Sequence, residues 1–183
     1  GSPHDLSASG PGRIHAVVLW NRHMPPQHYR IYESSTIDAR IDQPSGPSKM
    51  CLSCHDGSLA LGLVASRPPN EPIVMTYRTI PPGRSDLTRD LSDDHPIGFR
   101  YDRALAIRDR QLKNPDLLTP LLPLGKHGEV HCTTCHDPHS NRLGNFLREP
   151  QLRATICLSC HQMKGWDLGA HARSSAPVHD RAV

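Results

Sequence analysis

Aromatic side chains are scarce in this 183-residue chain: two Trp, four Tyr and two Phe make 4% of it, and hydrophobic residues of all kinds reach only 36%. So little bulky apolar material is poor stock for a protein-only core in a chain long enough for one domain or two small ones. No apolar run approaches the roughly 20 residues that a membrane-crossing helix needs, which excludes a transmembrane segment from the reading. Runs of one charge are missing as well, with 21 Lys and Arg set against 18 Asp and Glu. Without a basic stripe or an aromatic platform, nucleic acid has nothing to bind. What is abundant is punctuation, 18 Pro and 13 Gly, which favours loops over long regular elements. By composition alone the chain reads as partly disordered.

The cysteines change that reading. There are six, and all of them fall into one pattern: Cys51-Leu52-Ser53-Cys54-His55, Cys132-Thr133-Thr134-Cys135-His136 and Cys157-Leu158-Ser159-Cys160-His161. The spacing is that of covalent haem attachment. Each thiol adds to one haem vinyl group, and two intervening residues make about one helical turn, which sets the sulfurs at the right separation. The histidine that follows is then placed to ligate the iron. A zinc ribbon uses such cysteine pairs in twos and leaves one of three over, with no reason for the histidines. A thioredoxin-like motif has no reason to be tripled, and disulfides have no reason to keep one spacing. Three c-type haems are therefore expected, held by Cys51, Cys54, Cys132, Cys135, Cys157 and Cys160, with His55, His136 and His161 as proximal ligands.

Three macrocycles also answer the problem of the core. The expected fold is a multihaem cytochrome, mostly loops with short α-helices and little β, in which the haems form the core and folding depends on them. The charge changes with them. The formal charge is +3, but each bis-histidine ferric haem with ionised propionates brings about −1 and each ferrous one about −2. The loaded protein is then near neutral when oxidised and acidic when reduced.

Residues 1–50 hold no attachment motif and form a haem-free N-terminal arm, followed by a trihaem domain over 51–183. Along the chain, Gly10 to Gly12 reads as a turn, Ile14 to Trp20 as a strand or helical turn, and Tyr29 to Tyr32 as a short extended piece. Gln43 to Ser48 reads as a loop entering the first motif. Pro72 to Ile80 is the best strand candidate. Ala104 to Leu112 is the best helix outside the motifs, with Leu105, Ile107 and Leu112 as its apolar residues, and Leu117 to Leu124, with two prolines, should be irregular. The short interval from Cys132 to Cys157 makes the second and third haems neighbours in space. The chain opens Gly1-Ser2-Pro3-His4 without a signal peptide. Because attachment of this kind takes place outside the cytoplasmic membrane, an exported protein that has lost its leader is expected.

Each iron has one further axial position. Of 13 histidines, ten remain once the proximal three are set aside. Of the methionines, Met50 and Met163 lie too close to their own motifs to reach the opposite haem face, and Met24 and Met75 have no supporting context. Bis-histidine ligation is thus favoured. Five histidines have a context that suits a distal ligand. His139 stands in Cys135-His136-Asp137-Pro138-His139, where the proline is expected to stop the attachment helix and aim the next side chain at a neighbouring haem. His95 precedes Pro96, His171 lies between two alanines after Trp166, and His15 and His4 lie in the arm. No such context marks His23, His28, His127, His131 or His179.

Taken with their flanks, these residues resemble the extracellular multihaem cytochromes of metal-reducing bacteria, the family of the doubled Cys-x-x-Cys-His motif. The pieces that carry the resemblance are His4-Asp5-Leu6-Ser7, Leu19-Trp20-Asn21-Arg22, Lys49 to Gly57, Asp94-His95-Pro96-Ile97-Gly98-Phe99, Cys132 to His139, Asn145-Phe146-Leu147-Arg148 and Gly165-Trp166 with Ala170-His171-Ala172. Members usually carry a further attachment motif between the first two of these, where this chain reads Gly12-Arg13-Ile14-His15-Ala16-Val17-Val18 and has no cysteine. One haem has been lost relative to that pattern, and His15 is the remnant of the motif's second histidine. The resemblance implies an electron conduit at the cell surface or outside the cell, with the periplasm as the alternative. Other redox proteins or extracellular acceptors are its implied partners. Some similar cytochromes polymerise into filaments in which an N-terminal histidine ligates a haem of the next subunit, which implies a homopolymer here. A monomeric electron shuttle is the alternative. An oxidoreductase or a gas sensor would need an iron with an open position, and no Cys-x-x-Cys-Lys motif supplies one, so an enzyme is not expected.

Overall fold

Residues 28–58 and 79–173 are described by the structure, a computed structural model. The expectation for Ile14 to Trp20 lies outside these residues, as do His4, His15, His23, Met24, Met75 and His179; of the strand expected over Pro72 to Ile80 only Thr79 and Ile80 are described, and neither is in a strand. Among the described residues five short α-helices occur in the order α1 (Gly46–His55), α2 (Arg103–Asp109), α3 (Cys132–Cys135), α4 (Thr155–Cys160) and α5 (Ala170–Arg173). Single 3₁₀ turns at Pro115–Leu117, Leu152–Ala154 and Trp166–Leu168 interrupt the loops between them. Among the described residues no β-strand forms. Extended backbone pairs only through isolated bridges, Arg30 with Asp90, Arg100 with Glu129, Leu112 with His161 and His136 with Leu147. The expected architecture of loops and short helices is what the chain adopts.

The helices follow local chemistry. In α2 the Asp102 carboxylate caps the first turn by accepting from the Leu105 amide at 2.9 Å, as an N-cap acid does. Arg110 ends the helix in the left-handed region at φ 63°. Its buried face is Leu105 and Ala106, whereas Ile107, expected among the apolar residues, is 70% exposed. A helix of two turns has room for only one inward stripe. The loop expected over Gln43 to Ser48 is corrected in its second half, because α1 already starts at Gly46 with Pro47 in its first turn. Proline is at home there, where its missing N–H would have no partner anyway.

Among the described residues two small clusters serve as the apolar core. One gathers Phe99, Tyr101, Leu105, Ala106 and Val130, with Ala39, Ile41, Leu112 and Cys160 packed on it. The other joins Tyr29, Leu52 and Leu91. Residues 28–50 are tied into both. The Arg30 amide donates to Arg89 O and the Leu91 amide to Arg30 O, each at 2.8 Å, and Tyr29 sends its hydroxyl to the buried Asp56 carboxylate at 3.1 Å. Among the described residues every buried side-chain nitrogen and oxygen has a hydrogen-bond partner.

Candidate functional site

All three Cys-x-x-Cys steps are single helical turns. In α3 and α4 the turn closes in the same way: the amides of His136 and His161 donate to the carbonyls of Cys132 (2.9 Å) and Cys157 (2.8 Å). The backbone then turns extended at the histidine itself, at φ −113°, ψ 137° for His136 and φ −94°, ψ 144° for His161. This corrects the expectation that Pro138 stops the second attachment helix. The helix has ended three residues earlier, because His136 pairs with Leu147 and the Cys135 carbonyl accepts the Arg148 amide at 2.9 Å.

Distant residues hold each motif in place. His55 sends Nδ1 to the Ser85 carbonyl at 2.7 Å, and the Leu87 amide returns to His55 O at 2.7 Å. His136 sends Nδ1 to the Asn145 carbonyl at 2.8 Å. A carbonyl only accepts, so in both rings Nδ1 carries a proton, and the lone pair of the neutral ring lies on Nε2. That is the tautomer of a metal-ligating histidine whose other nitrogen is fixed by the backbone. Arg148 also donates from Nε to Thr133 O at 2.9 Å and faces the Asp137 carboxylate at 3.6 Å. The third motif is held by Lys113, whose amide reaches Cys160 O at 2.8 Å and whose Nζ reaches Leu158 O. The buried Glu149 carboxylate accepts the Ser159 hydroxyl on the same turn.

The motifs adjoin in order. Ser48, fully buried on α1, lies 3.1 Å from Nδ1 of the buried His131 and accepts the Cys132 amide at 3.2 Å. The Cys51 thiol hydrogen-bonds that of Cys132; this bond, with burial, pushes Cys51 up, while Cys132, the acceptor, is held down. Cys135 is raised by burial and by the sulfurs of Cys157 and Cys132 beside it. Burial, with Cys135 next, pushes Cys160 up to about 11. The contact between the second and third motifs follows from their short separation. The contact of the first with the second is not legible in the sequence, and His131, which secures it, carried no signal.

Of the distal candidates, the structure brings one to a motif. The rings of His95 and His161 face each other with centroids 6.4 Å apart and planes at 76°. His161 is held below the usual imidazole range by burial first and by His95 second. His139 is exposed, its amide bonded to Asp137 Oδ1 at 3.0 Å, and among the described residues its ring meets no other histidine ring. His171 lies on α5 with its side chain outside the description, and His15 and His4 lie outside the described residues.

These residues fit haem. The thiols come in pairs on one turn, two of the three histidines have Nδ1 engaged and Nε2 available, and Met50, Phe146 and Leu152 leave apolar surface exposed beside the motifs. Among the described residues no group of three or more His, Cys, Asp or Glu is arranged to hold a bare ion, as a zinc ribbon would require. Residues 125–165 match the family model described as doubled CXXCH motif, a stretch that contains the second and third motifs. No curated protein matches the chain. Over this stretch the chain is similar to multihaem c-type cytochromes. The match supports covalently bound c-type haem and a role in electron transfer. No helix among the described residues is long and apolar enough to cross a membrane.

Proposed function

We propose that the chain is a trihaem electron conduit, exported and working at or beyond the cell surface, and that it assembles into a homopolymer with haems running on between subunits. The observation that carries the reading is the repetition of one device. Three helical turns present two thiols and a histidine apiece, and they lie side by side in the order first, second, third. In this reading Cys51, Cys54, Cys132, Cys135, Cys157 and Cys160 hold the macrocycles by thioether bonds and His55, His136 and His161 are the proximal ligands. The distal ligands come from His139, His95, His15, His171 and His4.

Haem, when bound, supplies one-electron chemistry by cycling between ferric and ferrous iron. The chain does the rest. The Ser85 and Asn145 carbonyls orient the proximal rings of His55 and His136. Arg148, Lys113 and Glu149 keep the second and third turns rigid, so the spacing between haems does not drift as charge moves. Residues 1–50 form the haem-free arm and 51–183 the trihaem portion. The arm's N-terminal histidines, His15 first and His4 second, are proposed to reach a haem of the neighbouring subunit. A head-to-tail contact of that kind does not close on itself and so builds a filament. A monomeric shuttle in the periplasm or at the surface is the alternative, and catalysis is not part of the reading.

The test is the intact mass of the exported protein with a free-thiol assay. The expected result is the polypeptide plus three haem groups and no free thiol. Two haems, or none, would overturn the reading.

A further inference from the structure

We infer that His95 and His161 are the two axial ligands of a single iron, that of the haem held by Cys157 and Cys160. The inference rests on the haem reading above and deepens it by assigning one distal histidine to one motif. Metal–imidazole bonds run to about 2.0–2.1 Å, and a ring nitrogen lies roughly 1.1 Å from its own ring centre, so two imidazoles on opposite sides of one ion have centroids about 6.3 Å apart. The observed separation is 6.4 Å. Nδ1 of His95 is 3.0 Å from the Pro96 carbonyl, which fixes its proton on Nδ1 and leaves Nε2 as the ligating nitrogen.

Edge-to-face packing of two rings falls in the same distance range, but it belongs to apolar interiors. His95 is exposed, so burial gives its ring little reason to stand against His161. What places them is the larger core cluster. Gly98, three residues after His95, holds φ +78°, and a Cβ there would meet Asp42 O at 2.8 Å, so only glycine fits. Its amide donates to Val130 O, and the Val130 amide to Phe99 O, each at 2.9 Å. From the same segment the Tyr101 hydroxyl reaches Lys113 O at 2.7 Å and Cys160 O at 3.3 Å. The Gln162 amide then ties the far side of His161 to Gln111 O at 2.7 Å. The loop that carries His95 and the turn that carries His161 are thus fastened to one frame, across a long stretch of sequence.

The experiment uses the exported full chain shown by mass to carry three haems. A chain that fails that mass test defeats the haem reading and never reaches this one. Reduced wild-type protein and the His95→Ala variant are titrated with carbon monoxide. The expected result is no uptake by the wild type and uptake at one iron in three by the variant. A variant that binds none, with all three irons low-spin, overturns the pairing. To identify the haem, His95→Ala is repeated in a Cys157→Ala/Cys160→Ala background with two haems, where it should open no iron. A newly opened iron there would mean that His95 serves another haem, and the pairing falls. If that background does not accumulate folded, a density map of the three-haem protein decides. A bond from His95 to the iron of His161 supports the assignment, and any other sixth ligand overturns it.

Discussion

Ser48→Ala removes one oxygen from the joint between the first and second motifs. Ser48 is fully buried, and its hydroxyl serves the His131 ring at 3.1 Å and the Cys132 amide at 3.2 Å. His131 is itself 5% exposed, so its ring cannot turn to solvent, and the Cys132 amide is part-buried. Leaving a buried donor or acceptor unpaired costs about 1–3 kcal/mol; the His131 ring bears that cost in full and the part-buried Cys132 amide adds about 1 kcal/mol, so the loss should be about 2–4 kcal/mol. For a chain of this size that corresponds to a fall in Tm of about 5–15 °C. The assay is thermal unfolding of the haem-loaded protein, followed by far-UV dichroism and by the Soret band. Ser34→Ala, which deletes an exposed hydroxyl bonded to Thr36, is the control and should cost less than about 0.5 kcal/mol. If Ser48→Ala melts within a degree of the wild type, Ser48 does not join α1 to α3 and the argument fails.

Leu52→Ala, at a large side chain with no exposure at all, should cost about 3–5 kcal/mol by transfer and cavity terms together, measured by denaturant unfolding; a loss under 1 kcal/mol would mean that the Tyr29–Leu52–Leu91 cluster is not a packed core. His139→Ala should leave one iron open, seen as carbon monoxide binding by the reduced protein, and unchanged spectra would strike His139 from the distal ligands. His15→Ala should abolish filaments in electron micrographs and alter one haem spectrum. Normal assembly with unaltered spectra would make His15 a bystander.

What a sequence can specify is local. Two residues between paired cysteines make one helical turn wherever they occur, so the attachment turns and their six thiols were legible from Cys51 to Cys160. So was the shortage of regular structure, because prolines and glycines act on their own neighbours. The helix near Ala104 was legible from its apolar residues Leu105, Ile107 and Leu112, whereas the Asp102 cap that starts it was seen only in the structure. What α2 buries is another matter: Ile107 and Leu105 are equally apolar, and only packing against Phe99 and Val130 turns one inward and leaves the other in solvent. The same holds at the site. Pro138 promised to end a helix that pairing with Leu147 had already ended. His131 had no motif, yet it bridges α1 and α3 because Ser48 arrives beside it from far along the chain. His95 was one imidazole among several with a suitable neighbour, and nothing within a few residues of it names its partner. The meeting with His161 comes from long-range hydrogen bonds through Gly98, Tyr101 and Lys113. Local geometry therefore settled which thiols and histidines share a turn, and tertiary structure alone decided which of the turns and rings meet.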